Sequence, residues 1–133
     1  MKVTNGEIFD ARTALSELAS QKMPVQTSMA VLKLRELIKP KILLVEEMRN
    51  KLINEYGDIG ANGTSVSQSI RIPDPQNEGQ ELVTPNPKYA LFVKDFEEVR
   101  AEEVELGFEP IHLRSSVELS PKALLALEKF VKV

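Results

Sequence analysis

The stretch that most constrains this chain is "MAVLKLRELIKPKILLVEEMRNKLINEYG", residues 29–57, a long amphipathic pattern with a proline set in its middle. Leu34, Leu37, Ile38, Lys41, Ile42, Val45, Met48, Leu52 and Tyr56 recur at steps of three and four, the spacing that puts side chains on one helical face. The phase continues straight across Pro40, whereas a real break would normally reset it. Pro40 removes one backbone donor and crowds the carbonyl of Glu36, at a cost of about 3 kcal/mol in an unadapted helix, so the expectation is one helix bent at Pro40. Thr27 or Ser28 is the expected cap at its start, and Gly57 its left-handed cap at the end. Kinks of this kind generally serve packing over a core, and that is the expected role here.

The segments before and after supply the rest of an α+β plan. "MKVT" alternates like a short strand, Asn5-Gly6 offers a turn, and Ile8, Ala11, Leu15 and Leu18 mark a helix over about 5–21, with Thr4 and Glu7 at capping-box spacing. Met23-Pro24 closes that helix, and the two helices are expected to pack as a hairpin. After Gly57, Asn62-Gly63 signals a hairpin turn, and "SVSQSIRI" alternates as one half-buried strand with Val66, Gln68, Ile70 and Ile72 on one face. "PDPQNEGQELVTPNP", with Pro73, Pro75, Pro85 and Pro87 around a polar middle, is expected to be a surface loop, the longest irregular stretch.

Asn86-Pro87 has the form of a cap followed by a first-turn proline, and Tyr89, Phe92, Val93, Phe96 and Val99 continue as the stripe of a helix over about 87–102. "EVELGFEPIHL" returns to a period of two, with Val104, Leu106 and Phe108 inward and Pro110 at an edge or bulge. "LSPKALLALEKFV" closes the chain as a short helix, with Ser120 as cap, Pro121 in the first turn and Leu119 facing Leu124 as a staple. The expected architecture is one α+β domain over 1–133: a helical part at about 5–57 holding the hairpin with its Pro-kinked long helix, then a mixed part from about 58 with a small sheet, one further amphipathic helix and the C-terminal helix.

Composition excludes several functions. With 17 basic residues against 20 acidic, the chain has no general attraction to nucleic acid or anionic lipid. It holds no cysteine, hence no disulfide, no thiolate nucleophile and no cysteine-ligated metal. No run of about 18 apolar residues exists to span a bilayer, and the opening residues contain no apolar run of the kind a signal sequence needs, so a cytoplasmic protein is expected.

The one histidine, His112, cannot by itself make a two-histidine metal site, and no nucleophile elbow, phosphate loop or dinucleotide fingerprint is present. His112 is read as a surface or edge-strand residue. Between Lys94 and Glu109, seven acids (Asp95, Glu97, Glu98, Glu102, Glu103, Glu105, Glu109) stand against Lys94 and Arg100. Helical spacing places Asp95, Glu98 and Glu102 on one face beside the apolar stripe. Three carboxylates so placed could bind a divalent cation or work as acid and base, but lack a histidine or a calcium-loop pattern. A solvated face is the simplest reading, and a docking surface for a basic protein partner is the functional one. No enzyme, cofactor or metal is expected.

The opening "MKVTNGEIFDARTALSELASQKMPVQTSMAVLKLRELI" and the closing "EVELGFEPIHLRSSVELSPKALLALEKFV" resemble a family of small phage-encoded proteins of unknown function. The shared pattern is an N-G-E start, a K-x-P-V joint and a long charged helix, then an acidic strand and a final L-S-P-x-x-L-L-A-L-E helix. It covers both ends, more than half of the chain, and leaves out the middle from Gly60 to Pro87. The resemblance implies a phage origin and carries no catalytic residue. The expected function is non-catalytic protein–protein interaction in the bacterial host cytoplasm, with the chain itself or one host protein as partner. The alternatives are an oligomeric virion or assembly component and a small carboxylate-dependent enzyme.

Overall fold

Thr4 ends the first strand and starts the first helix in the computed structural model, which describes residues 1–60 and 63–132. β1 is Lys2–Thr4 and α1 is Asn5–Ala19. The Glu7 amide donates to the Thr4 hydroxyl at 3.1 Å while the Thr4 amide donates to the Glu7 carboxylate at 2.9 Å, the reciprocal capping box expected from their spacing. Because the helix begins there, Asn5 and Gly6 are its first residues and not the turn that Asn-Gly suggests.

Both belong to a compact unit formed by residues 1–45 and 99–133. Asn5 is buried, its backbone amide donating to the Glu102 carbonyl at 2.9 Å and its side-chain amide to the Val99 carbonyl at 3.1 Å. A Cβ on Gly6 would press on Arg100 at 3.1 Å, so glycine leaves room for that guanidinium to grip Asp10 through two bonds of 2.8 and 3.2 Å.

The core of this unit takes Ile8, Ala11, Leu15 and Leu18 from α1, and Val31, Leu34 and Ile38 from α2, the helix Val25–Tyr56. Strand β6 (Glu103–Glu105) lies antiparallel to β1, with Val3 opposite Val104. The expected single strand from Val104 to Leu113 is instead two. β6 stops before the buried Leu106, and β7 (Ile111–His112), which follows Pro110, runs parallel to β8 (Val131–Lys132).

That parallel pairing also shortens the last helix. α4 covers only Pro121–Ala126, with the Ser120 hydroxyl accepting from the Ala123 amide at 3.2 Å. The chain then turns so that the fully buried Phe130 and the extended Val131 return to the core. Ala123 and Leu127 face inward, while Leu124 is exposed and lines one surface cleft together with Leu119, its expected staple partner. By backbone proximity the main neighbour of α1 is α4.

α2 runs unbroken through Pro40, as the phase of its stripe requires, and Val31, Leu34, Ile38, Val45 and Leu52 are its buried residues. Three details differ from expectation. The helix starts at Val25, before Thr27 and Ser28, with the Ser28 amide already bonded to the Pro24 carbonyl. Leu37 is exposed. Gly57 has no positive φ: its amide donates to the Ile53 carbonyl at 2.7 Å, and a Cβ there would collide with that carbonyl and come within 2.7 Å of the Ser65 carbonyl oxygen. Close backbone approach, not a left-handed turn, selects glycine.

Residues 46–98 form the second compact unit, so the division falls within helices and not after Gly57. β2 (Asp58–Gly60) pairs antiparallel with β3 (Gly63–Ser65), with Gly60 opposite Gly63 and Gly63 at a φ of 100°. The expected Asn62-Gly63 turn rests on Ala61 and Asn62, which lie outside the described residues. The predicted strand 65–72 is divided: β4 is Ser69–Pro73.

A third of the expected loop is strand as well, because β5 (Glu81–Pro85) pairs antiparallel with β4 through Ile70–Thr84 and Ile72–Leu82. Asp74 closes the connection by accepting from the Gln76 amide and the Asn77 side chain, both at 2.9 Å, which holds its carboxyl below the ordinary range, and Gly79 takes a φ of 81°. α3 (Pro87–Ala101) follows its expected cap: Asn86 Oδ1 accepts from the Lys88 amide at 3.1 Å, and Asn86 Nδ2 donates to the Ser67 carbonyl at 2.8 Å.

Two predictions follow from these contacts. Burial alone would raise the Glu7 carboxyl, but the Lys129 ammonium at 2.7 Å and the Thr4 amide outweigh it and hold the carboxyl below its usual value. A lowered folded value contributes stability that is present above the unfolded value and is lost as pH falls through the folded one. Glu7→Gln should therefore lower the melting temperature at pH 7, and the gap to wild type should close toward pH 2–3; thermal melts across that range check it. Gly57→Ala should cost about 1–3 kcal/mol in urea unfolding, since two backbone carbonyls would have to move.

Candidate functional site

α3 carries a side on which Leu91, Asp95 and Glu98 follow at intervals of four and three residues. Of the three carboxylates expected on one face, Asp95 and Glu98 are in the helix. Glu102 lies one residue beyond its end, where helical spacing no longer sets its direction and where its carbonyl serves Asn5. Glu98 is exposed, and Asp95 is half-buried.

Asp95 is engaged by a residue that sequence reasoning treats only as the end of the α2 stripe. The Tyr56 hydroxyl donates to Asp95 Oδ2 at 2.6 Å, within the second unit. This bond, reinforced by partial desolvation and by the charges of Asp95 and Glu55, pushes the Tyr56 phenol up to about 12. At neutral pH the phenol is thus a firm donor and no base. No signal in the sequence places Tyr56 beside Asp95, because the two are far apart in the chain and have no shared motif.

His112 is exposed on β7, with its backbone paired to Lys132. A cleft of about 570 Å³ between α1 and α4 is lined by Asp10, Arg12, Glu17, Ser120, Lys122 and Leu125. Asp10 there holds Arg100, the Arg12 guanidinium lies 3.6 Å above the Phe9 ring, and Glu17 accepts from the Ser120 amide at 3.0 Å. Among the described residues, no three acidic or histidine side chains converge on a point that could hold a metal ion, and no buried side-chain polar atom lacks a hydrogen-bond partner.

Apolar surface is the more unusual feature. Within the described part of the second unit only Leu52 and Asn86 are buried. No residue of α3 is: the rings of Phe92 and Phe96 stack at 5.9 Å but remain half-covered, and Leu91 and Val93 are exposed. The β4–β5 ribbon exposes Ile72, Leu82 and Val83, the last at 68%. On α3 the exposed Leu91 lies on the side that carries Asp95 and Glu98, an apolar side chain beside two carboxylates that a protein partner could cover.

Comparison with protein-family models, with curated proteins and with solved structures finds no match to this chain. None of the described helices is long and apolar enough to cross a membrane.

The Tyr56–Asp95 bond is open to direct measurement. A 295 nm absorbance titration of wild type minus Tyr56→Phe isolates this phenol, and its midpoint should lie near 12. Asp95→Asn, by removing the acceptor's charge, should move the midpoint down toward the ordinary value of about 10. A wild-type midpoint already near 10 would mean that the bond does not form in solution.

Proposed function

We propose that this chain is a non-catalytic protein–protein interaction protein, phage-encoded as the resemblance of its two ends implies, which acts in the bacterial host cytoplasm by binding a host protein. The observation that carries this reading is the apolar side chains left exposed in the second unit: Leu91 beside Asp95 and Glu98 on one side of α3, Val93 on its other side, and Leu82 and Val83 on β5. Exposed leucine and valine supply desolvation energy on binding, and a carboxylate at the rim favours a partner with lysine or arginine around an apolar spot. The second reading, an oligomeric virion or assembly component, draws on a different surface, the side of α2 that faces away from the core.

The test is a pull-down from bacterial lysate with tagged wild type and three surface variants, Leu91→Glu, Val83→Asp and Glu98→Lys. Wild type should retain one dominant protein after a moderate salt wash. Leu91→Glu and Val83→Asp should reduce its recovery about tenfold, as expected for loss of an apolar anchor, and Glu98→Lys should have a smaller, salt-dependent effect. Equal recovery by folded Leu91→Glu and Val83→Asp proteins would remove this surface from the function.

A further inference from the structure

A helix of about 3.6 residues per turn that buries Val31, Leu34, Ile38 and Val45 on one side should be polar on the opposite side. α2 is not. Val25, Met29, Leu32, Leu43 and Leu44 are each 50% or more exposed, and all but Leu44 lie close to one line along the helix, diametrically opposite the buried stripe. Leu37 and Leu44 lie about a quarter turn to one side of this strip, and Pro40 is exposed within it. The whole feature belongs to the first unit, whereas Leu91 and Val83 belong to the second.

The apolar residues fall in two blocks, Val25 to Leu32 and Leu43 to Leu44, and between them the strip is charged. Glu36 lies on its midline and Lys39 beside it, both exposed, and among the described residues neither forms an ion pair within the chain. We infer that this strip is where a second copy of the chain docks, antiparallel, with Glu36 of each copy against Lys39 of the other.

Two observations select this occupant. The first is charge. A two-fold axis passing between Leu37 and Ile38 brings residues whose distances from it are equal to the same level, so Leu32 meets Leu43 of the second copy and Glu36 meets Lys39, twice each. Parallel pairing in register would set Glu36 against Glu36, a repulsion that opposes it. The same rule sets Met29 against Glu46 and Val25 against Asn50, so the self-complementary part of the strip is its centre, Leu32 to Leu43, and it is so in the antiparallel direction. The second is area. Half-exposed side chains of this number, with the stems of Lys33 and Lys39, present several hundred Å², on the order of the ~800 Å² that each partner contributes to a standard interface.

The experiment is sedimentation equilibrium of the full chain from about 1 to 500 μM, with circular dichroism as the check on folding. Wild type should show twice the monomer mass at the upper end, and Leu32→Glu should be a folded monomer throughout. Glu36→Lys and Lys39→Glu should each weaken pairing about tenfold or more, because each creates two like-charge contacts. An equimolar mixture of those two variants should pair again as a mixed dimer, a recovery that a purely intrachain effect of either substitution cannot produce. A wild type that stays monomeric, a Leu32→Glu protein that still dimerises, or single variants whose mixture recovers nothing would each overturn the inference. Those outcomes leave host binding untouched, because that reading depends on Leu91 and Val83 and is lost only if the pull-down variants behave as wild type.

Discussion

The first unit depends on how the start of α1 is held. Four residues in succession each make a different tie there: Thr4 pairs through β1 and caps the helix, Asn5 reaches the backbone of Val99 and Glu102, Gly6 gives passage to Arg100, and Glu7 completes the cap and takes Lys129. These partners come from segments about a hundred residues away in the chain. A helix N-terminus has amides that need acceptors, and a carboxylate near it is favoured by the helix dipole, so Glu7 serves its own cap and the α4 side of the unit together. The apolar face of α1 can enter the core only in the orientation these ties allow, which makes the polar contacts the determinant of register and the leucines the source of stability.

α2 shows how a proline can be accommodated when the side chains around it agree. Pro40 leaves the carbonyl of Glu36 without its helical donor, but Pro40 is exposed, so in the single chain water can satisfy that carbonyl. Ile38 and Val45 stay buried on either side. Had Pro40 fallen on the buried stripe, the orphaned carbonyl would have faced the core, where an unmade hydrogen bond is costly. Its placement is therefore part of why the helix is continuous.

Features encoded locally were legible in the sequence, and those decided by distant partners were not. The Thr4–Glu7 box, the Asn86 and Ser120 caps and the phase of α2 depend on residues within one or two turns, and all are present. β4 and β5 needed each other: "ELVTP" between prolines resembles a loop until Ser69–Pro73 provides the ladder. The final helix was overextended because nothing local to "LEKFV" reveals that Val131 pairs with Ile111. Gly57 ends α2 as expected but not as a left-handed cap, since what crowds it includes the Ser65 carbonyl of β3, a tertiary neighbour. For the site, helical spacing correctly put Asp95 and Glu98 together on α3, but the hydrogen bond from Tyr56 is a tertiary contact that no periodicity encodes.

The same distinction explains why an outer apolar strip on α2 went unnoticed while its inner stripe was plain. In a helix rich in leucine, steps of three and four can be drawn through either set, and Leu37 fits the inner spacing although it is exposed. Burial separates the two sets: Val31, Leu34, Ile38 and Val45 on one side, Met29, Leu32, Leu43 and Leu44 away from it. A helix that needed only its core contact would gain solubility from lysine or glutamate at those outer positions, at little cost in stability. Leucine there increases the tendency to associate without adding to the chain's own core, and the charged interval of Glu36 and Lys39 restricts that association to one direction. The composition of the outer strip is accordingly better explained by what it meets than by how the monomer folds.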